Sequence, residues 1–287
     1  MSHSTQRSWL VTGARGMLGV DVVDVLRAAG QSVTALSRAE LDILDADAVR
    51  AAVVGHDVVV NCAAWTAVDD AESHGDEARA INATGAQNVA AAAASCGARI
   101  VHFSTDYVFD GAATSPYAED EPANPRSAYG RTKAEGESLV RAAAPDHLIL
   151  RTAWLYGAHG QCFPRTIVRL ARERGEVSVV ADQIGQPTWT RDVAELVLRL
   201  VEREAAPGTH HATSAGAASW FEFAQAAVAA AGLDPAVVIP TSSDAFVRPA
   251  PRPGYSVLGH ARLDEQGIPA IGPWAERWAV AAPEVLA

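Results

Sequence analysis

Basic residues are in short supply: 23 Lys and Arg stand against 34 Asp and Glu, a formal charge of -11. A nucleic-acid backbone or an anionic membrane recruits clustered Lys and Arg, so neither is expected as the main partner, and any anion bound here needs a local site. Cysteine is nearly absent. Cys62, Cys96 and Cys162 are widely spaced, with no Cys-x-x-Cys pair and no nearby His pair at metal-ligand spacing. They read as small buried hydrophobes in a reducing compartment. Long apolar runs are missing as well. Met1 to Ser8 is polar, the run Trp9 to Val11 is too short for a signal peptide's core, and nothing approaches the roughly 20 apolar residues of a membrane helix. A cytoplasmic protein is expected.

What is present is the composition of a globular protein, with 49% hydrophobic and 20% charged residues in 287, long enough for one large domain or one and a half. From Trp9 to about Arg151, short apolar runs alternate with Ala-rich helical stretches, the rhythm of a parallel sheet covered by helices on both faces. Trp9–Thr12, Ser32–Leu36, His56–Cys62, Arg99–Ser104 and Leu148–Arg151 are expected strands. Val58-Val59-Val60 has the unbroken β-branched run of a strand buried on both sides. Helices are expected over 20–29, 76–96 and 127–144. Past Trp154, Gly and Pro become frequent and no second glycine fingerprint occurs. The expectation is an α/β, Rossmann-type doubly wound sheet over 8–153 and a smaller C-terminal substrate lobe over 154–287, some of whose strands and helices return to the first unit. Ser219-Trp220-Phe221-Glu222 has the form of a capping box opening a helix to about Ala231.

Gly13-Ala14-Arg15-Gly16-Met17-Leu18-Gly19 follows the first strand and opens the first helix. Glycines let the backbone turn tightly and approach a pyrophosphate, while the helix N-terminus supplies free N–H groups. The spacing is the form short-chain dehydrogenases use, and a dinucleotide is the expected ligand. At the end of the second strand, Ser37-Arg38 stands where an NAD-preferring unit carries an acidic residue. A guanidinium there suits a 2′-phosphate, which favours NADPH while leaving NADH admissible. Asp42-Ile43 is placed to flank the adenine.

Tyr129 and Lys133 are four residues apart on the first turns of a helix, so both side chains share a face. An unperturbed phenol, with a pKa of about 10, is a sluggish acid at neutral pH, and a nearby ammonium favours its charged form. Such a phenol can hand its proton to a carbonyl oxygen as hydride arrives at carbon. Ser104-Thr105, at the carboxyl end of a strand, supplies the hydroxyl to bond that oxygen, at the edge where open parallel sheets bind ligands.

These residues lie in longer segments that resemble the dTDP-4-dehydrorhamnose reductases of the extended short-chain dehydrogenase/reductase superfamily. Ser104-Thr105-Asp106-Tyr107-Val108-Phe109-Asp110-Gly111 is similar to a signature of that family. So are Ala63-Ala64-Trp65-Thr66-Ala67-Val68-Asp69, 151–157, 182–188 and 248–253, and the likeness covers almost the whole chain. The resemblance implies reduction of the 4-keto group of a dTDP-linked 6-deoxysugar by NADPH. Thr105 would polarise the keto oxygen, Tyr129 would donate the proton, and Lys133 would hold the nicotinamide ribose and lower the Tyr pKa. Thr66, Val68, Thr105, Asp106, Tyr107, Tyr129 and Trp154 would line the sugar pocket. Gly13, Arg15, Gly16, Met17, Leu18, Gly19, Ser37, Arg38, Asp42, Ile43, Cys62, Ala63, Ala64, Thr66, Ser104, Tyr129 and Lys133 would meet the cofactor.

Some members of that family are described as magnesium-bridged dimers built on acidic residues. Arg191 stands where one of these would be and Asp21 is a candidate for another, so no metal is expected and the chain is expected to be a monomer or weak dimer. His56, His102 and His210-His211 read as structural. Three alternatives remain at this point: a reductase of another antibiotic deoxysugar or of dihydrostreptose, a noncatalytic dinucleotide-binding subunit, and a hydrolase using Ser104. The last lacks a nucleophile-elbow sequence.

Overall fold

A computed structural model describes residues 6–287; the start of the polar N-terminal stretch, residues 1–5, lies outside the described residues. The first half alternates strand and helix: β1 (Ser8–Thr12), α1 (Met17–Ala28), β2 (Ser32–Leu36), α2 (Ala46–Val53), β3 (Val58–Asn61), α3 (Gly75–Arg79), α4 (Ala86–Ser95), β4 (Arg99–Thr105), α5 (Ala128–Ala143) and β5 (His147–Thr152). Five of the strands form one parallel sheet in the order β5-β4-β3-β1-β2, and Gly208–His211 adds a sixth, also parallel, beside β5. The chain moves from β1 to β2 on one side and then to β3 on the other. The crevice above β1 and β3 is therefore the topological switch point, where open sheets of this class take ligands.

The β-branched run of β3 is explained by this layering. Val58 and Val60 face a core shared with α1 and the helix Thr190–Glu202, while Val59 faces a second core under α2, α4 and α5. All three are fully buried, each contributing on the order of 1.5–3 kcal/mol. The helix Thr190–Glu202 and the strand Gly208–His211, though late in the sequence, thus complete the first unit. The remaining C-terminal elements gather around Tyr156, Phe223 and Trp278, and the helix Trp220–Ala230 begins at a capping box formed by Ser219 and Glu222.

Two expectations need correction. The helix expected over 76–96 is not uniformly α: Ala80–Gly85 widens into a π-helical segment between α3 and α4, a feature that re-aims side chains near functional sites. Cys96 is exposed at the end of α4, whereas Cys162 is buried and Cys62 partly so; the chain leaves the layer one residue earlier than helical spacing alone implied. The histidines set aside above bond within the protein: His102 accepts from Asn61 Nδ2 at 3.1 Å, and His211 Nδ1 donates to the Gly259 carbonyl at 2.7 Å.

Helix α5 is fixed to the sheet by charge as well as by apolar packing. Arg151 on β5 makes two 2.9 Å bonds to the Glu137 carboxylate, and both side chains are almost fully buried. Burial opposes the Glu137 charge, but the Arg151 hydrogen bond and charge, with Ser104 and Arg141 behind them, outweigh it and hold the carboxyl below its usual range. Removing one partner leaves the other charge uncompensated in the interior. Glu137→Ala is expected to lower unfolding stability by about 3–5 kcal/mol at neutral pH, read by urea denaturation. Because the folded-state pKa is depressed, the contribution is present above the ordinary carboxylate range and lost as pH falls through the depressed value. The gap between wild type and variant should narrow in acid; a gap independent of pH would refute the ionic account.

Candidate active site

The turn after β1 sets the cofactor side of the crevice. Gly13 has φ of 65°, and a Cβ there would lie 2.7 Å from Ala63 N and 2.8 Å from Cys62 C on the neighbouring strand's extension. Only a residue without a side chain lets the two loops meet so closely. Gly16 then precedes α1 with no side-chain cap and no acidic residue in the first turn, so the first N–H groups of α1 are left for an anion. A cleft of about 250 Å3 opens beside this turn, lined by Gly13, Arg15, Gly16, Arg38, Asp42, Ile43, Cys62, Ala63 and Ala64, together with Leu41, Leu44 and Ile81.

The cleft thus assembles nine of the residues read from sequence and adds three hydrophobes that were not. Leu41 and Leu44 flank the expected Asp42-Ile43 pair, and their apolar character was the available signal. Ile81 had none, since it reaches the cleft from the π-helical segment. The side chains of Met17 and Leu18 turn away from the cleft into the apolar cores, and Gly19 packs against the Gly13 backbone. Ser37 is buried, with its N–H and hydroxyl both donated to Glu40 at 2.9 and 2.6 Å. This occupies the nearest acidic group. Arg38 and Arg15 are exposed at the same end, and neither forms an ion pair among the described residues.

The residues expected to react stand at the carboxyl edge of β4. Ser127 caps α5 by accepting from Gly130 N at 3.0 Å, which seats Tyr129 and Lys133 on the face turned to the sheet. Tyr129 is 9% exposed and Lys133 2%. Lys133 Nζ donates to the Phe103 carbonyl at 2.5 Å; burial pushes its pKa down to about 8, against the opposing pull of Glu137. Burial pushes the Tyr129 phenol up to about 12, with the Thr105 hydroxyl beside it acting in the other direction and the Asp106 charge adding to the rise. The expected lowering of the Tyr129 pKa by Lys133 does not emerge here: desolvation dominates, Lys133 is not among the groups that shift the phenol, and its ammonium bonds a backbone oxygen.

Thr105 ends β4, accepts from Tyr107 N at 3.3 Å and donates to Asp106 Oδ1 at 2.9 Å. Tyr107 meets Tyr129 edge to face at 5.7 Å, and Val68 packs in the same cluster. Ser104 faces the other way, toward Glu137 on α5, and Thr66 is exposed on the loop after β3. That loop is clipped in place by Asn82 of the π-helical segment, which accepts from Trp65 N at 2.8 Å and donates to Thr132 Oγ1 at 3.0 Å. Trp154 has φ of 47°, a left-handed conformation that a bulky residue adopts only when its surroundings impose it. Its ring stacks on that of Trp220 at 3.6 Å and 8°, and Gly185 leaves room for it. Neither Asn82 nor Trp220 carried a motif that would have marked it.

On the outer side, Tyr107, Phe109, Asp110, Arg126, Ser127, Pro251, Arg252 and Pro253 enclose about 150 Å3. Arg252 pairs with Asp69 at 2.9 Å, and Asp69 also accepts from Ala250 N at 3.2 Å, so the segment 248–253 is tied to the loop after β3. Among the described residues no group of three or more His, Cys, Asp or Glu is placed to hold a metal ion, and no helix is long and apolar enough to cross a membrane.

A family model, the RmlD substrate binding domain, matches residues 7–285. A probable dTDP-4,6-dihydroxy-2-methyloxan-3-one 4-ketoreductase from Streptomyces antibioticus is 46% identical, over 97% of this chain and 96% of its own. A dTDP-4-dehydrorhamnose reductase from Streptomyces griseus is 47% identical, over 96% and 92%. The solved structure of dTDP-4-dehydrorhamnose reductase from Bacillus anthracis in complex with NADP superimposes with a TM-score of 0.93 at 37% identity, covering 98% of this chain and all of that one. A fold, a glycine turn, a Tyr–Lys helix face and full-length similarity all agree, and the chain belongs to the dTDP-4-dehydrorhamnose reductase family.

Proposed function

We propose that this chain reduces the 4-keto group of a dTDP-6-deoxy-4-ketohexose with NADPH, dTDP-4-dehydro-L-rhamnose to dTDP-L-rhamnose being the favoured reaction. The observation that carries this is the juxtaposition of the Thr105 and Tyr129 hydroxyls, one helical turn from buried Lys133, at the sheet edge beside the glycine-turn cleft. The cleft fits a dinucleotide: Gly13 admits close backbone approach, the uncapped start of α1 faces the pyrophosphate, and Arg15 and Arg38 offer guanidinium groups to a 2′-phosphate. Residues 8–153 carry the cofactor side and the reacting groups, and 154–287, apart from the elements that return to the sheet, adds Trp154 and the segment around Arg252 to the sugar side. The three unpaired thiols accord with a cytoplasmic enzyme.

Bound NADPH supplies the hydride; the protein's own groups do the rest. Thr105 hydrogen-bonds the keto oxygen, and Tyr129 gives it a proton as charge develops there. Lys133 remains charged at neutral pH and opposes the cost of leaving a buried phenolate. Val68, Tyr107 and Trp154 supply apolar and aromatic surface for the sugar ring, and Arg126 and Arg252, which line the outer cavity beside Tyr107, offer guanidinium groups to the nucleotide's phosphates. The Streptomyces antibioticus relative favours a second sugar for the same chemistry. Starting from dTDP-glucose with a dehydratase and an epimerase, NADPH oxidation with identification of the product separates the two; no turnover on any dTDP-ketosugar, with NADPH binding retained, would reject the enzyme.

Tyr129→Phe retains the ring and its packing, so NADPH affinity should persist while kcat falls about 10²- to 10⁴-fold. Wild-type single-turnover rates in this variant would place the acid elsewhere. For Arg38→Ala, titration calorimetry should show NADPH weakened far more than NADH, since only the former carries the 2′-phosphate; equal losses would contradict the assignment.

A further inference from the structure

A hydroxyl has one hydrogen to give, and that of Thr105 is already committed. Its Oγ1 donates to Asp106 Oδ1 at 2.9 Å and accepts from Tyr107 N. While Asp106 is a carboxylate, Thr105 cannot also donate to a keto oxygen, and the carboxylate stands as a like charge beside the alkoxide that hydride transfer creates. The Ser256 and Thr105 hydroxyls and the N–H groups of Asp106 and Tyr107 favour the carboxylate, but burial outweighs them. Asp106 is 2% exposed, its Oδ2 has no hydrogen-bond partner, and it forms no ion pair among the described residues. The groups facing it carry no charge: the Thr105 hydroxyl, the N–H groups of Asp106 and Tyr107, the phenols of Tyr107 on its own turn and Tyr129 on α5, and the Ser256 hydroxyl from the C-terminal segment. The charged groups near Tyr107, Arg252 and Asp69, are paired with each other.

We propose that Asp106 works as a neutral carboxylic acid, donating its own hydrogen to Thr105 Oγ1 and so freeing the Thr105 hydrogen for the keto oxygen. The inference rests on the reading of Thr105 as the group that polarises that oxygen. It makes Asp106 a positioning residue that acts through Thr105. The oxygen–oxygen distance serves a bond made in either direction, so the change moves hydrogens and no heavy atom. Burial already pushes the Asp106 pKa up to about 6, and covering the site with sugar and nicotinamide removes further water, moving it in the same direction. The acid keeps its proton through turnover; the proton gained by the sugar oxygen comes from Tyr129.

The test compares kcat against pH for wild type, Asp106→Asn and Thr105→Val. Wild-type kcat should fall on the alkaline side as Asp106 ionises in the complex. Asp106→Asn, neutral at every pH, should keep kcat within about tenfold and lose that limb, leaving only the one set by Lys133; Thr105→Val should lose about 10²- to 10³-fold. An Asn variant slowed as much as Thr105→Val, or a wild-type rate that falls in acid as Asp106 becomes protonated, would overturn the inference in favour of a carboxylate that accepts from the sugar. Full activity in Thr105→Val would instead overturn the underlying reading of Thr105. If Asp106→Asn does not fold, wild type decides by calorimetry in two buffers at pH 7, where Lys133 is already charged. Forming the complex with NADPH and dTDP-L-rhamnose should take up about one proton; no uptake overturns the proposal.

Discussion

One carboxylate, Glu137, stands between two buried cations, and the active-site helix depends on it. Lys133 lies one turn before it on α5, and Arg151 reaches it from β5 through two hydrogen bonds. An ammonium and a guanidinium buried this deeply are each disfavoured by several kcal/mol without compensation. Glu137 pairs with one and raises the pKa of the other, while half-exposed Arg141 completes the cluster. The balance stays positive on the inner face of α5. That excess suits a site whose reaction places negative charge first on an alkoxide and then on a phenolate.

The same cluster explains why a simple reading of Tyr-x-x-x-Lys falls short. Spacing shows that the two side chains share a face, and they do; it says nothing about how much water remains. With water removed, the phenol becomes a weaker acid and the ammonium a stronger one, so the pair is tuned by burial in opposite directions. The donor is then useful only where a substrate oxygen and developing charge replace the missing solvent, a condition that disfavours proton loss to bulk water.

Much of the fold was legible because both faces of the sheet are covered. Val58-Val59-Val60 could be unbroken only in a strand with a core on each side, and the glycine turn was recognisable because Gly13 must pass within contact distance of Ala63. Where geometry is local, sequence carries it: the Ser219 capping box formed as its spacing required. What escaped was set by contacts distant in sequence. Ile81 and Asn82 reach the site because one helical segment widens to a π turn, a change of a single hydrogen-bond register with no residue signature. Cys96 read as a small buried hydrophobe and is exposed just past the end of α4.

The pocket's sugar side shows the same dependence on distant contacts. Trp154 lies just beyond β5, yet its ring is packed against Trp220, the first residue of a helix more than sixty positions later, and fits only because Gly185 has no side chain. Asp69, from the loop after β3, is likewise held by Arg252. Both links join the nucleotide-binding sheet to the C-terminal elements at the point where a substrate must touch each. A residue of ordinary type, Trp220, thereby helps to shape a site it was not expected to reach, because a ring stacked 3.6 Å behind another favours one orientation of its plane. On the proposed reading, recognition of the sugar ring is a property of the joint between the two halves, whereas Thr105 and Tyr129 act from the end of β4 and the start of α5.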